Sequence, residues 1–249
     1  MTVPAETTPS ATLILLRDGP DGLELLMIRR HANMRFAPGA MVFPGGCLDP
    51  QDGVGGGDQP HRIAAIRETF EETGILLARR REGGRNEDGP FSERELAAFH
   101  ADGAPGFLER VRAAGLALAT DRLVPFAHWL TPEVVRRRFD TRFFLAPAPV
   151  GQDPRVDGTE AVSALWATPR AILDRADAGE LRLIFVTRMN LLRLAGCATV
   201  DEALAAARRQ PIVTVLPARV DTPGGPVFRI PEGAGYSPTE IPADQVRLG

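Results

Sequence analysis

Apolar runs at residues 11–16 and 23–29, broken by Asp18-Gly19-Pro20-Asp21-Gly22, predict two strands joined by a turn. Residues 41–43 predict a short strand running into a Gly-Gly loop. The period then changes. Ile63, Ile66, Phe70 and Gly74 recur at helical spacing, so a helix is expected over about 61–73, with Gly74 as its left-handed stop. Extended chain follows at 75–78, and the charged, glycine-containing stretch 79–90 predicts a mobile surface loop. Ser92-Glu93-Arg94-Glu95 has the form of a capping box and opens a helix through His100, with a second helix over about 106–114. Strands are expected at 123–129 and 142–146. Thr168-Pro169 opens a helix through Arg175, and further helices are expected at 183–195 and 200–208. Residues 212–216 and 227–230 predict a terminal hairpin around 221–225, residues 1–10 read as a disordered lead, and no internal repeat is present.

Composition narrows the classes of function. A chain of 249 residues with 44% hydrophobic residues is ample for a globular core. A net charge of −3 argues against a general nucleic-acid binder, so any phosphate recognition is local. No apolar run has the length of a membrane span, and the first ten residues lack the charged and apolar regions of a signal peptide. Arg247-Leu248-Gly249 is not a peroxisomal address of the Ser-Lys-Leu type, so the expected location is cytoplasmic. Cys47 and Cys197 have no metal-type spacing; free thiols are the preferred reading and a disulfide is the alternative.

The chemistry is concentrated between residues 43 and 75. Glu68, Glu71 and Glu72 stand at i, i+3 and i+4, so all three project from one face of the predicted helix, away from its apolar stripe. Carboxylates that close repel one another unless a divalent cation joins them, and an all-oxygen set suits Mg²⁺ or Mn²⁺. A solvated acidic face is the bland alternative. Arg67 precedes Glu71 by four residues and can hold it in place. Upstream, Phe43-Pro44-Gly45-Gly46 would let bare backbone approach the site, where a Cβ would obstruct it.

The run Arg67-Glu68-x-x-Glu71-Glu72-x-Gly74-Ile75 resembles the second half of the Nudix box, the signature of hydrolases acting on nucleoside diphosphates linked to another group. The full box runs Gly, five residues, Glu, seven residues, Arg-Glu. Strict counting puts Gln59 where its Glu would stand and Gly53 at its Gly. Gly45-Gly46 is the better functional pair, which leaves seven additional residues within 48–59. Asp49, Asp52 and Asp58 are then the candidates to replace the missing glutamate, and Thr69 occupies a position that is usually aliphatic. Residues 29–31 and 36–49, with 138–146, resemble the coenzyme A diphosphatase branch, above all its peroxisomal, insert-bearing members. The likeness covers roughly residues 10–200.

That resemblance implies an α/β fold, a Nudix-type α/β/α sandwich with a mixed sheet, plus a helical insert and C-terminal helices. The expected division is a hydrolase domain over 11–216, carrying the insert at about 90–120 over the active-site side, and an extension over 217–249. It also implies metal held by Glu68, Glu71, Glu72 and the Gly45 carbonyl, with Gly46 beside the substrate. The same three glutamates are candidate catalytic groups, joined by Glu160 as a base or fourth ligand. Arg30, Arg138 and Arg142 are the candidate phosphate clamps, since a guanidinium fork meets two oxygens at once. His31, His61 and His128 are read as surface or structural, and Trp129 and Trp166 as core anchors. The expected reaction is cleavage of coenzyme A or acyl-CoA to 4′-phosphopantetheine and adenosine 3′,5′-bisphosphate. An ADP-ribose or NADH hydrolase and a non-catalytic nucleotide sensor are the alternatives, and a homodimer is implied by the family.

Overall fold

The computed structural model describes residues 7–53, 56–82, 85–87, 89–101, 106–156 and 158–248. The chain opens with strands β1 (Thr7–Gly19), β2 (Gly22–Arg30), β3 (Met41–Val42) and β4 (Gly45–Cys47), followed by helix α1 (Gln59–Thr73). Next come β5 (Ala78–Glu82), β6 (Arg85–Glu87), α2 (Glu93–Ala101), α3 (Phe107–Ala113) and β7 (Leu116–Leu118). The remainder holds β8 (Val124–Leu130), β9 (Arg138–Pro147), β10 (Ala161–Ala167), α4 (Pro169–Asp177), α5 (Phe185–Leu194), α6 (Val200–Arg209) and β11 (Thr214–Val215). It ends with β12 (Ala218–Thr222), β13 (Gly225–Arg229) and β14 (Glu240–Pro242).

The main sheet is mixed and runs β10-β2-β1-β9-β8-β11, with β3 on β2 and β4 on β1. Its centre is the parallel pair β1 and β9, in register from Thr7↔Arg138 to Leu16↔Pro147. Strand β1 is long enough to hold two partners on one side: its C-terminal half pairs with β2 and its N-terminal half with β4. This split leaves the Gly45-Gly46 backbone at the sheet's end beside α1. Alternate residues of β1 enter different cores, because successive strand side chains point to opposite faces. Ala11, Leu13 and Leu15 pack with Ile66 and Phe70 of α1; Ile14 and Leu16 pack with Met189 of α5 and Leu204 of α6. The sheet therefore lies between helical layers, the expected α/β/α sandwich.

Several expectations meet the structure closely. Gly74 is left-handed at φ 71°, and its N–H donates to the Phe70 carbonyl at 2.7 Å. The Ser92 capping box forms, with Ser92 N–H donating to Glu95 at 2.7 Å. Thr168 caps α4 by accepting from Ala171 N–H. Buried Thr69 satisfies its hydroxyl on the Ala65 carbonyl at 2.7 Å, which lets a polar residue sit at an aliphatic position.

Others are corrected. Residues 1–6 of the predicted lead lie outside the described residues, but Thr7–Ser10 already belong to β1 and pair with β9. The predicted loop 79–90 is mostly strand in its described part, with residues 89 and 90 irregular: β5 pairs with both β6 and β7, and Arg79 meets Asp121 with two hydrogen bonds. Residues 83, 84 and 88 of that stretch lie outside the described residues, as do 54 and 55 in the glycine-rich stretch before α1. The terminal hairpin is β12 with β13, turning between Thr222 and Gly225, while Thr214–Val215 pairs in parallel with β8. Helices α2 and α3 do not cover the candidate site. They pack on α1 through Phe70, whose ring lies 5.1 Å from Phe99 and 5.4 Å from Phe107. Strand β10 was not expected; its alternation is broken by a bulge between Ala161 and Ser163.

Candidate active site

A cavity of about 670 Å³ opens at the end of the sheet where β4, α1 and the N-terminus of α5 meet. Glu68, Glu71 and Glu72 from α1 line it, together with Gly45 and Gly46 from β4, Arg30 from the end of β2, and Glu160 from the loop before β10. The helical spacing thus does what it implies: one face of α1 faces the cavity while Ile66 and Phe70 enter the core.

Arg67 organises this face. Only 4% exposed, it donates to both oxygens of Asp52 at 2.9 Å, to Glu68 and Glu71 at 2.8 Å each, and to the Cys47 carbonyl at 3.0 Å. Burial opposes its charge, but the hydrogen bonds and charges of Asp52, Glu68 and Glu71 outweigh that and raise its pKa. Of the three aspartates considered for the missing glutamate, Asp52 is the one that meets Arg67, and it is 1% exposed. Asp49 instead caps the short 3-10 turn that carries Asp52, and Asp58 pairs with Arg142.

Glu72 is 3% exposed and accepts the Gly45 N–H at 2.9 Å, with an Arg30 nitrogen 3.8 Å away. Burial pushes its pKa up to about 8, opposed by the Gly45 hydrogen bond and reinforced by Glu68 and Glu160. Glu68 is pushed up to about 7, again first by burial, with Arg67 opposing and Glu71 and Glu160 reinforcing. Glu160 therefore belongs to the same electrostatic cluster. Both glycines are needed for the approach. A Cβ on Gly46 would stand 2.5 Å from the Glu68 carboxyl carbon, and one on Gly45 would stand 2.4 Å from the Ala11 carbonyl oxygen.

The oxygen-rich donor set suits a hard divalent cation. Among the described residues, no group of three His, Cys, Asp or Glu side chains already converges as a metal site. Arg67 engages one oxygen each of Glu68 and Glu71, and Gly45 one oxygen of Glu72, so each carboxylate keeps a second oxygen for a cation.

The structure does not bring Arg138 and Arg142 to the cavity. On β9 they share the parity of Phe144, whereas Phe139, Thr141 and Phe143 border the cavity. Arg138 is 7% exposed and donates to the Thr131 carbonyl; Arg142 is tied to Asp58. Arg30 is the one expected clamp that borders the cavity. Arg35, Arg137 and Arg247 line it as well and were missed. For Arg137 the signal was present in the one-residue parity of β9, since it precedes the site-facing Phe139 by two and lies 5.1 Å over that ring. For Arg247 no local signal exists. His128 bonds Asp140 and Thr214, in keeping with a structural role; Trp129 is buried and donates to Tyr236, but it also borders the cavity. Both cysteines are free.

Comparison with known proteins supplies the family. Residues 56–194 match the model described as the NUDT19 Nudix domain. The human acyl-coenzyme A diphosphatase NUDT19 is 30% identical over 210 residues, covering 60% of this chain and 54% of that protein. Putative nudix hydrolase 7 of Caenorhabditis elegans is 31% identical over 163 residues, covering 64% of this chain and 51% of that protein. The chain thus spans little more than half the length of these curated relatives. Peroxisomal coenzyme A diphosphatase ndx-8 of C. elegans is 42% identical over 67 residues, 26% of each chain. That name, on a relative, overturns the cytoplasmic location expected from the sequence. No helix among the described residues is long and apolar enough to cross a membrane. The crystal structure of a NUDIX hydrolase from Alicyclobacillus acidocaldarius superposes with a TM-score of 0.70 at 34% identity, covering 82% of this chain and 97% of that one. With the box helix, its glycine turn and this fold in agreement, the chain belongs to the Nudix hydrolase family and carries a Nudix domain of the NUDT19 type.

Proposed function

We propose that this Nudix hydrolase is a metal-dependent diphosphatase that cleaves coenzyme A or an acyl-CoA into 4′-phosphopantetheine, free or acylated, and adenosine 3′,5′-bisphosphate. The observation that carries the reading is the gathering of Glu68, Glu71, Glu72 and Glu160 around Gly45 and Gly46 in one cavity. Support for the substrate comes from the relatives named acyl-coenzyme A diphosphatase and coenzyme A diphosphatase.

Glu68, Glu71 and Glu72, with the Gly45 carbonyl, would hold Mg²⁺ or Mn²⁺. Such a cation neutralises the diphosphate oxygens and lowers the pKa of a coordinated water toward neutrality. The chain's own groups do the rest. Arg30 draws diphosphate oxygens to the end of β2, and the bare Gly45-Gly46 backbone leaves room for the phosphate beside Glu68. Glu160 orients the attacking water and takes its proton. The new P–O bond forms as the bridging P–O bond breaks, and the departing phosphate carries off the bond's electron pair. Arg67 keeps the two outer carboxylates aligned from below.

Coenzyme A, ADP-ribose, NADH and diadenosine polyphosphates, each assayed with Mg²⁺ and with Mn²⁺, test the substrate. Coenzyme A or an acyl-CoA is expected to give the highest kcat/KM, with the two products above. A strong preference for ADP-ribose or NADH overturns this assignment.

A further inference from the structure

Helix α5 directs an uncapped N-terminus at the cavity. Ile184 precedes it with no side-chain cap, and residues 184–187 all border the cavity. The Phe185 N–H donates to the Arg247 carbonyl at 2.7 Å. The N–H groups of Val186 and Thr187 have no hydrogen-bond partner among the described residues. Thr187 is 3% exposed and its hydroxyl has no partner among the described residues either. The rest of the side chain is buried and this hydroxyl opens on the cavity wall, where a ligand can complete it. The Phe185–Arg247 bond also pins the C-terminal segment across the helix end. It brings the Arg247 side chain to the same cavity, without an ion-pair partner among the described residues.

Two free N–H groups, a hydroxyl, the positive end of a ten-residue helix and a guanidinium form a site for an anion. The metal-binding carboxylates are on α1, which packs against one face of the sheet, whereas α5 packs against the other. The two sets of groups therefore enter the cavity from different layers and suit two different parts of one substrate. We propose that the N-terminus of α5, with Thr187 and Arg247, is an anion subsite that binds the phosphomonoester of the substrate, the 3′-phosphate of coenzyme A, while its diphosphate lies at α1. This rests on the coenzyme A reading, because ADP-ribose and NADH carry no such group.

The test compares kcat/KM for coenzyme A and dephospho-coenzyme A in the wild type, Arg247→Ala and Thr187→Val. Alanine at 247 keeps the backbone carbonyl that anchors the segment, and valine preserves the volume of Thr187. The wild type should prefer coenzyme A, and each variant should lose about tenfold or more on coenzyme A while changing little on the dephospho form. A wild type indifferent to the 3′-phosphate, or variants that keep the wild-type ratio, would overturn the subsite and leave the coenzyme A reading standing. A wild type that cleaves neither compound while cleaving ADP-ribose or NADH removes that reading and the subsite with it.

Discussion

Asp52 and Arg67 form the most consequential pair in the molecule after the carboxylates themselves. Their two hydrogen bonds of 2.9 Å are buried, so Asp52→Asn leaves a buried guanidinium without the most buried of its three carboxylate partners. Unfolding in urea should show a loss of roughly 3 kcal/mol, as for other buried pairs broken on one side. A loss within a few tenths of zero would mean that Arg67 finds equal partners elsewhere. The glycine turn separates activity from stability at single-residue resolution. Gly46→Ala drives a methyl into the Glu68 carboxylate, a flexible group that can swing away, so turnover should fall at least tenfold with little change in melting temperature. Gly45→Ala meets the Ala11 backbone instead, and should cost about 2 kcal/mol of stability. Thermal melts beside turnover rates distinguish the two, and equal behaviour would contradict the geometry. Glu160→Gln should lower turnover by about a hundredfold while the fold is unchanged; activity within a few fold of wild type would remove Glu160 from the mechanism.

Helix α1 is amphipathic in a chemical sense: one face carries the carboxylates, and the other is clasped by α2 and α3 through Phe70. His100 of α2 stacks on Phe70 with ring centroids 4.8 Å apart, and burial holds its pKa below 6.5. His61, at the other end of α1, is held below 6.5 as well, first by burial and then by His128, with Asp140 opposing. A depressed histidine pKa means that the folded state binds fewer protons than the unfolded one. The stability is therefore present above the ordinary value and is lost as pH falls through the folded pKa. Glu68 and Glu72, raised by burial, oppose this histidine contribution, so the variant is read against the wild type: His100→Gln should gain melting temperature relative to the wild type as pH falls below 6.5; a difference that does not change with pH would contradict the packing of α2 on α1. These elements also show what the sequence made legible. Periodicity located α1, and capping residues located α2 and α4, because local chemistry fixes those boundaries. Strand β10 was hidden since its bulge breaks the alternation that reveals a half-buried strand. Arg138 and Arg142 were misplaced by one position: a strand's faces alternate, and only pairing with β1 shows that Phe139 and Thr141 face the cavity. Arg247 depends on a contact between the C-terminal segment and α5, which no local pattern encodes.

At the scale of the molecule, the sheet serves as a partition whose end is left open. Each helical layer buries its own core against one face, and both contribute walls to the same cavity. The net charge of −3 is modest, yet four carboxylates gather in that cavity, with Arg30, Arg35, Arg137 and Arg247 also along its walls. Such an arrangement suits an anionic substrate that arrives with a divalent cation, since the cation relieves the carboxylates and the arginines receive the phosphates. Adding Mn²⁺ to metal-free protein should therefore raise its melting temperature in a concentration-dependent way, and a melting temperature indifferent to Mn²⁺ would count against the site. The most direct measurement is hydrolysis by a protein in which Glu71→Gln and Glu72→Gln are combined, assayed with Mg²⁺ on coenzyme A, ADP-ribose, NADH and diadenosine polyphosphates beside the wild type. The carboxylate face of α1 as a cation cradle predicts turnover reduced at least a hundredfold on every compound the wild type cleaves; a folded double variant that cleaves them at the wild-type rate would contradict it.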